Sequence, residues 1–171
     1  MLRIVGIGSP TAATVVVDPH VPLDVTLGGG ECPDKLYWRA LWQAESLLEV
    51  GIHPETGELV TLTLTSIAAS HIERATVALP LSRGEGLPRA ELEMWPHSRP
   101  RYADQFIDEQ VELRLLVSAS SAVLTLGGVS PPVEEVWSVG RVRLGLDAER
   151  SLRVIEVSGL SPEELEMMST S

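Results

Sequence analysis

The feature that most constrains this fold is an internal duplication. Residues 24–38 align without gaps on residues 123–137, with six identities in fifteen pairs. The shared letters are the run Thr-Leu-Gly-Gly, one proline, and one tryptophan that matches Trp38 to Trp137. A repeated unit that cannot close its own core packs on its copy. We therefore expect two matched halves that share one core.

The match continues beyond the first aligned block. With a gap of five residues in the second copy, Gly51 aligns with Gly145, and with one further deletion Leu62 aligns with Ile155. Both halves then show the same succession of strand, glycine turn, proline loop, tryptophan strand, hairpin and final strand. We expect the two glycine turns to need a positive φ and to occupy equivalent places.

Alternation of apolar and polar residues predicts that these units are made of short strands. In residues 59–65, Leu62 and Leu64 face one way while threonines face the other, which is typical of an antiparallel sheet with one packed and one wet face. Gly, Pro, Ser and Asp separate the runs. The predicted strands are residues 2–7, 14–18, 23–27, 36–43, 46–52, 59–67, 75–79, 111–117, 122–126, 136–146 and 152–157.

One helix is predicted, at the end of the chain. Ser161 is a good N-cap, Pro162 fits the first helical position, and Glu164 completes a capping box. Residues 104–112 fit either a helical turn or a strand. The expected fold is an all-β antiparallel sandwich, or a partly open barrel, made of two pseudo-repeats and a short C-terminal helix.

The expected organisation is a single domain over residues 1–171. The pseudo-repeats cover about residues 1–80 and 103–171, and a proline- and glycine-rich excursion, residues 81–102, connects them. We interpret this excursion as part of the domain and not as a linker between two folded units.

Charge and composition limit the kinds of partner. A net charge of −11 disfavours nucleic acid and anionic membranes, because both would repel the chain. No window approaches the ~18 apolar residues of a membrane span. The apolar start is too short for a signal peptide and is broken by Pro10, so we expect a cytoplasmic protein. Twelve of the thirteen basic residues are arginine, which suggests a GC-rich bacterial gene.

No motif predicts catalysis, a metal site or a cofactor. The four histidines lie far apart in the sequence, so a metal site would need long-range convergence. The single cysteine, Cys32, is flanked by acidic residues that disfavour a reactive thiolate, and it allows no internal disulfide. We therefore predict no catalytic residues and no bound metal or cofactor. The histidines are His20, His53, His71 and His97.

A contact surface is predicted in and after the excursion. Residues 93–102 combine tryptophan, tyrosine and arginine, which dominate binding hot spots, on a proline-stiffened loop. Residues 104–112 carry four negative charges and no positive ones. In the alternative interpretation the tryptophan caps the core and the charges only solvate the surface. The candidate contact residues are Trp95, Arg99, Arg101, Tyr102, Asp104, Asp108, Glu109 and Glu112.

The hairpin over residues 47–64 has the turn His53-Pro-Glu-Thr-Gly57 between two alternating strands. It resembles a segment common in small bacterial immunity proteins, which neutralise the toxins of interbacterial competition. The resemblance implies a non-catalytic protein that blocks the active site of a toxin domain, often a basic one, and it supplies no catalytic residues.

Three other functions stay open on the sequence. The chain could be a structural or assembly β-module that self-associates into a homo-oligomer. It could bind a small molecule or lipid in a cavity between its sheets. An enzyme is the least favoured of the three, since no catalytic motif is present.

Overall fold

The fold is built almost entirely from short strands, as the alternating pattern predicts. A computed structural model describes residues 1–29, 32–95 and 105–170. The elements are β1 Ile4–Ile7, β2 Ala13–Val16, β3 Leu23–Leu27, β4 Leu36–Trp42, β5 Ser46–Ile52, β6 Leu59–Ser66, β7 Ile72–Arg74, β8 Pro88–Ala90, β9 Phe106–Gln110, β10 Leu113–Val117, β11 Ser121–Leu126, β12 Glu135–Val139, β13 Val142–Leu146, β14 Leu152–Ser158 and α1 Pro162–Thr170, with a 3₁₀ turn over Ala69–His71.

Two six-stranded sheets pack against one core. The first sheet has the order β2-β3-β6-β5-β4-β9, and the second has the order β7-β10-β11-β14-β13-β12. Strands β1 and β8 form a separate two-stranded ribbon. Buried apolar side chains from both sheets belong to a single cluster. This is the predicted all-β sandwich with a C-terminal helix.

The two sheets repeat the same order of strands. In sequence, β2 to β6 of the first sheet correspond to β10 to β14 of the second. In space the two sets run β2-β3-β6-β5-β4 and β10-β11-β14-β13-β12, which is the same path through corresponding strands. Every pair within the two sets is antiparallel.

The register of the strands also repeats, residue for residue. Val25 pairs with Leu62 in the first sheet, and Leu124 pairs with Ile155 in the second. The sequence alignment matches Val25 to Leu124 and Leu62 to Ile155, so aligned residues make equivalent cross-strand pairs in the two sheets. Further matched pairs are Trp38–Val50 with Trp137–Leu144, and Tyr37–Gly51 with Val136–Gly145.

The glycine turns occupy equivalent places, as predicted. Gly28 and Gly127 both have positive φ, of 65° and 88°. The Gly28 N–H donates to the Ala12 carbonyl at 2.9 Å, and the Gly127 N–H donates to the Glu112 carbonyl at 2.8 Å. Each turn therefore closes back onto the residue before the neighbouring strand, in a conformation that favours glycine.

The segment between the two halves exchanges one strand in each direction. β7 follows the first set of strands but pairs in parallel with β10, whereas β9 precedes the second set but pairs in parallel with β4. Between them, residues 75–79 lie against the outer face of the second sheet, and β8 pairs with β1. The connection thus interlocks the two sheets, and the matched strands themselves span only residues 13–66 and 113–158.

Some of the predicted elements differ from the structure. Residues 75–79 form no strand, because their alternate apolar side chains pack on a sheet face without a backbone ladder. Residues 136–146 form two strands, β12 and β13, which turn at Gly140 with φ of 56°. β7 and β8 were not predicted, and the ambiguous residues 104–112 contain strand β9.

The C-terminal helix begins as predicted. The Ser161 N–H donates to Glu164 Oε2 at 2.7 Å, and the Glu164 N–H donates to Ser161 Oγ at 3.2 Å. These two bonds are the predicted capping box. The hydrogen bond from the Ser161 N–H lowers the pKa of Glu164. Leu165 and Met168 are buried and join the helix to the core.

Candidate functional site

The outward-facing side chains of the first sheet form a broad face that we call the polar face. Its inner counterparts, such as Val25 and Leu62, are buried in the core. The outward residues alternate with them along every strand, as the period-two pattern predicts. The polar face comprises Thr14, Val16, Asp24, Thr26, Tyr37, Arg39, Leu41, Leu47, Glu49, Gly51, Thr61, Thr63, Thr65, Phe106, Asp108 and Gln110.

The charged residues of the polar face lie in one row across the strands. Cross-strand pairing makes each member of the row the direct neighbour of the next. Neighbours in such a row have β-carbons about 5 Å apart, so their side chains interact. In order across the sheet, the row is Val16, Asp24, Thr63, Glu49, Arg39 and Asp108.

Arg39 is the centre of an ion-pair network at one end of this row. Its guanidinium donates two hydrogen bonds to the Asp108 carboxylate, at 2.7 and 2.8 Å. It also lies 3.8 Å from Glu49 Oε1 and 4.5 Å from the ring centroid of Phe106. The bidentate geometry and the ring contact hold the guanidinium in a fixed orientation.

Threonine hydroxyls orient the carboxylates of the row. Thr63 Oγ1 donates to Asp24 Oδ1 at 2.8 Å, and Thr65 Oγ1 donates to Glu49 Oε2 at 3.5 Å. Each carboxylate keeps further lone pairs after accepting one such bond. The row therefore presents fixed acceptors that suit a donor from outside.

A cavity of about 360 Å³ opens at the aromatic end of the polar face. Tyr37 and Phe106 stack there with ring centroids 5.2 Å apart and planes 14° from parallel. Lys35, the only lysine in the chain, also lines this cavity. The other lining residues are Pro33, Arg39, Glu49 and Gln105.

The matched face of the second sheet is covered by the chain itself. We call residues 75–79 the strap. Its Ala75, Val77 and Leu79 pack, together with Val133, on a small cluster formed by three buried residues of the sheet. These three residues are Leu116, Val123 and Val154, with exposures of 1%, 3% and 1%.

Polar contacts hold the residues that follow the strap against the second sheet. Arg143 donates one hydrogen bond to the Pro80 carbonyl and another to Glu156 Oε2, the latter at 2.7 Å. The Arg83 N–H then donates to the Val136 carbonyl at 2.8 Å, which places the chain along β12. The chain therefore crosses the second sheet from β10 to β12.

Trp95, the proposed anchor of the predicted contact surface, is 3% exposed. Its indole N–H donates to the Gln105 carbonyl at 3.1 Å, and its ring belongs to the core cluster. The structure therefore favours the alternative in which Trp95 caps the core, because a buried ring offers no surface to a partner. The predicted contact residues Arg99, Arg101, Tyr102 and Asp104, and also His97, lie outside the described residues.

The structure distributes the rest of the predicted acidic surface over three places. Asp108 pairs with Arg39 on the polar face. Glu109, its neighbour on the strand, pairs with the amino group of Met1. Glu112 pairs with Arg114 of the second sheet at 3.0 Å. Only Asp108 belongs to the polar face, because adjacent residues of a strand point to opposite sides.

The buried histidine has a structural role. His71 is 3% exposed and lies within 2.9 Å of Ser46 Oγ and 3.2 Å of Gln43 Oε1. Both ring nitrogens are thus satisfied, and the contact joins the β4–β5 turn to the 3₁₀ turn before β7. In the described residues, no three His, Cys, Asp or Glu side chains are grouped so that they could hold a metal ion.

The turn after β13 contains a carboxylate with a perturbed pKa. Asp147 is 6% exposed, and this burial alone would raise its pKa. Hydrogen bonds from the Ser151 N–H at 2.9 Å and from Arg153 Nε at 2.6 Å outweigh the burial and lower the pKa of Asp147. The alignment matches this turn to the one at His53, where the ring Nδ1 accepts more weakly, from two backbone N–H groups at 3.2 and 3.3 Å.

Comparison with known proteins adds no assignment. No protein-family model matches the chain, and no curated protein matches it either. Among the described residues there is no helix that is long and apolar enough to cross a membrane.

The sequence identified part of the polar face but not its boundaries. The alternation in residues 59–65 predicted that Thr61, Thr63 and Thr65 lie on a wet face. It did not reveal that Asp24 and Arg39 lie on the same face, because that depends on which strands are neighbours. The alignment of the two halves matches strands between them but does not show which strands are neighbours, so no sequence signal marked these two residues as members of one face.

Proposed function

We propose that the chain is a non-catalytic binding protein and that the polar face of the first sheet is its contact surface. The observation that carries this proposal is the contrast between the two matched sheets. Both sheets bury their inner face in the shared core, whereas among residues 1–29, 32–95 and 105–170 only the second sheet has its outer face covered by a strap. In the first sheet the positions matched to Val123 and Val154 hold Asp24 and Thr61, whereas the position matched to Leu116 holds the exposed Val16. The carboxylates and hydroxyls suit a polar, specific contact.

The proposed partner is a bacterial toxin domain, and the proposed role is that of an immunity protein. The hairpin that resembles immunity proteins is the β5–β6 hairpin. Its outward residues Glu49, Gly51, Thr61 and Thr63 form the centre of the polar face. The segment that carries the resemblance therefore also carries the proposed contact surface.

Electrostatics supports a cationic partner in this proposal. A net charge of −11 would raise the rate of encounter with a basic domain at low salt. Fixed acceptors on the polar face would then bind its basic side chains, and the protein would inhibit by covering the partner's active site in the cytoplasm.

The test uses the product of the neighbouring reading frame as the ligand and Lys35 as the probe. Lys35 is the only lysine and lines the cavity at the end of the polar face, so its acetylation reports on this surface. We expect the toxin domain to slow acetylation of Lys35 about tenfold. A Glu163→Lys variant provides a matched control on the exposed first turn of α1, and its lysine should react at an unchanged rate.

Two results would contradict the proposal. One is protection of the control lysine with Lys35 unaffected, which would place the contact surface on another side of the molecule. The other is that the neighbouring product does not bind the chain at all, which would remove the toxin domain as partner.

The structural or assembly β-module is a second candidate, and one observation favours it. β9 is the last strand of the first sheet and pairs with β4 on one side. An outer strand of this kind can add a strand from a second copy. Light scattering distinguishes the two functions, because an assembly module forms a defined oligomer alone, whereas the proposed immunity protein is a monomer until it meets its partner.

A further inference from the structure

The duplication indicates how a partner would lie on the polar face. In the second sheet the strap crosses above a row of cross-strand neighbours that matches the charged row of the first sheet. In order across the second sheet, this row is Leu116, Val123, Glu156, Arg143 and Ser138. In order across the first, it is Val16, Asp24, Thr63, Glu49 and Arg39.

We propose that the polar face binds an extended, basic segment of the partner protein, which crosses the strands along the path that the strap follows on the second sheet. This inference rests on the proposed function and specifies the chemistry of its partner. The occupant is a polypeptide segment, because that is what the duplicated scaffold holds at the matched place.

An apolar residue of the second sheet is matched by a charged residue in the first, and this difference determines which kind of segment can bind the polar face. Val123, which the strap buries, is matched by Asp24, whose carboxylate already accepts a hydrogen bond from Thr63. An apolar segment above Asp24 would strip water from a carboxylate without offering a donor, which is costly. A lysine or arginine at that place would instead form a charge-assisted hydrogen bond.

At a second position of the row, the hydrogen-bond donor of the second sheet is replaced by an acceptor in the first. On the second sheet Arg143 donates a hydrogen bond to the Pro80 carbonyl, which follows the strap. Its match on the first sheet is Glu49, which can only accept when ionised. The proposed segment must therefore supply a donor above Glu49, either a basic side chain or a backbone N–H.

The geometry favours alternating basic residues. Asp24 and Glu49 lie on strands β3 and β5, which are separated by β6. Strands are about 4.8 Å apart, so the two carboxylates are about 10 Å apart across the sheet. Alternate residues of an extended chain point to the same side about 6.6 Å apart, so two long basic side chains on one side can reach both carboxylates.

The experiment is a titration of the isotope-labelled full chain with synthetic peptides, followed by NMR. The probe is a capped peptide of alternating arginine and threonine, and the comparison peptide alternates glutamate and threonine. We expect the basic peptide to shift the amide signals of Asp24, Thr63 and Glu49, and the acidic peptide to leave them unchanged.

Matched variants show whether the carboxylates of the polar face are responsible. The double variant Asp24→Asn, Glu49→Gln should weaken binding of the basic peptide about tenfold or more. The control Glu55→Gln, Glu163→Gln removes the same charge from exposed turns and should bind like the parent. A dispersed amide spectrum of each variant checks that it is folded.

Three results would overturn the inference. They are equal weakening by the control variant, shifts centred away from the polar face, and binding of the acidic peptide with the same strength. If the toxin domain protects Lys35 while the basic peptide does not bind the polar face, the proposed function survives and only the extended basic segment is rejected.

Discussion

The two sheets of this protein have the same order and register of strands, and they differ chiefly on their outer faces. At matched positions, Val123 and Val154 of the second sheet are 3% and 1% exposed beneath the strap. Their counterparts in the first sheet are Asp24 and Thr61, which are polar and partly exposed. The inner faces kept the same apolar pattern, because both must pack on the shared core.

This difference shows which positions the fold constrains and which it leaves free. A buried inner residue is held by close packing, so the two copies could diverge little there. An outer residue is constrained only by what covers it. In one copy the strap covers the outer face, and in the other the described outer residues form a row of charges and hydroxyls.

The largest expected effect comes from exchanging outer residues between the two faces. Val123→Asp would bury an unpaired carboxylate beneath the strap and should lower the free energy of unfolding by about 3 kcal/mol or more. The reciprocal change, Asp24→Val, should alter it by less than about 1 kcal/mol. Urea unfolding of both variants measures the difference, and similar losses would contradict a covered second face.

The next largest effect on stability is expected at the two matched turns that contain Asp147 and His53. Asp147→Ala should cost about 2 kcal/mol at neutral pH, because it leaves the Arg153 guanidinium and two backbone N–H groups without their acceptor. His53→Ala should cost about 0.5 kcal/mol, since its bonds are long and exposed. Thermal unfolding of both variants provides the comparison.

The pH dependence of this loss follows from the lowered pKa of Asp147. A carboxyl whose pKa is lower in the folded state stabilises the fold above its ordinary value of 3.8. That contribution disappears as the pH falls below 3.8 and through the pKa of the folded state. The parent and Asp147→Ala should therefore converge in stability at strongly acid pH, whereas a difference that grows on acidification would contradict the assignment.

The matched glycines, Gly51 and Gly145, should differ in whether a second substitution restores the stability that is lost on replacement by alanine. A β-carbon at Gly51 would lie 2.3 Å from Thr61 Oγ1, and one at Gly145 would lie 3.0 and 3.1 Å from Val133 and Val154. Each alanine variant should cost about 1–2 kcal/mol. A second change, Thr61→Ala, should restore most of the loss for Gly51→Ala, because it removes the crowded hydroxyl.

The matching test at the other glycine uses Gly145→Ala with Val133→Ala. This pair should show little rescue, since Val154 Cβ stays at 3.1 Å from the new atom. Double-mutant cycles of unfolding free energy measure both couplings. Equal recovery of stability at the two glycines would mean that the side chains around Gly145 are packed no more tightly than those around Gly51.

The smallest effect on stability is expected at the matched residues that follow the final strand of each half. Ser161 caps α1 after β14, and Ala68 occupies the matched place before the short 3₁₀ turn without a side-chain cap. Ser161→Ala should cost about 1 kcal/mol, and helical circular dichroism should fall with it. Ala68→Ser should change stability by only a few tenths of a kcal/mol, because one turn offers little helix to cap.

The sequence predicted most of the strands because alternation is a local property of the chain, and the internal repeat marked equivalent strands in the two halves. Strands such as Leu23–Leu27 and Ser46–Ile52 have the predicted bounds. The strap was predicted as a strand, since burial of alternate residues on a sheet face gives the same pattern as a half-buried strand. β7 was missed because its three residues are too few to show a period.

The candidate site was harder to predict than the fold. Residue type alone singled out Trp95, but its ring is buried because residues far apart in sequence enclose it. The acidic run predicts one surface, whereas adjacent side chains of the strand Phe106–Gln110 point to opposite sides of the sheet. Long-range pairing decides which side chains share a face, and neither the alternation nor the alignment of the two halves specifies that pairing.

The accessibility of the two outer faces to solvent can be compared in a single NMR measurement. A soluble nitroxide added to the methyl-labelled protein broadens methyl signals in proportion to their accessibility. We predict strong broadening of the Thr26, Thr61 and Thr63 methyls and protection of the Val123 and Val154 methyls. Equal broadening of the two groups would contradict a second sheet whose outer face is covered by the strap and a first sheet whose outer face is open to solvent.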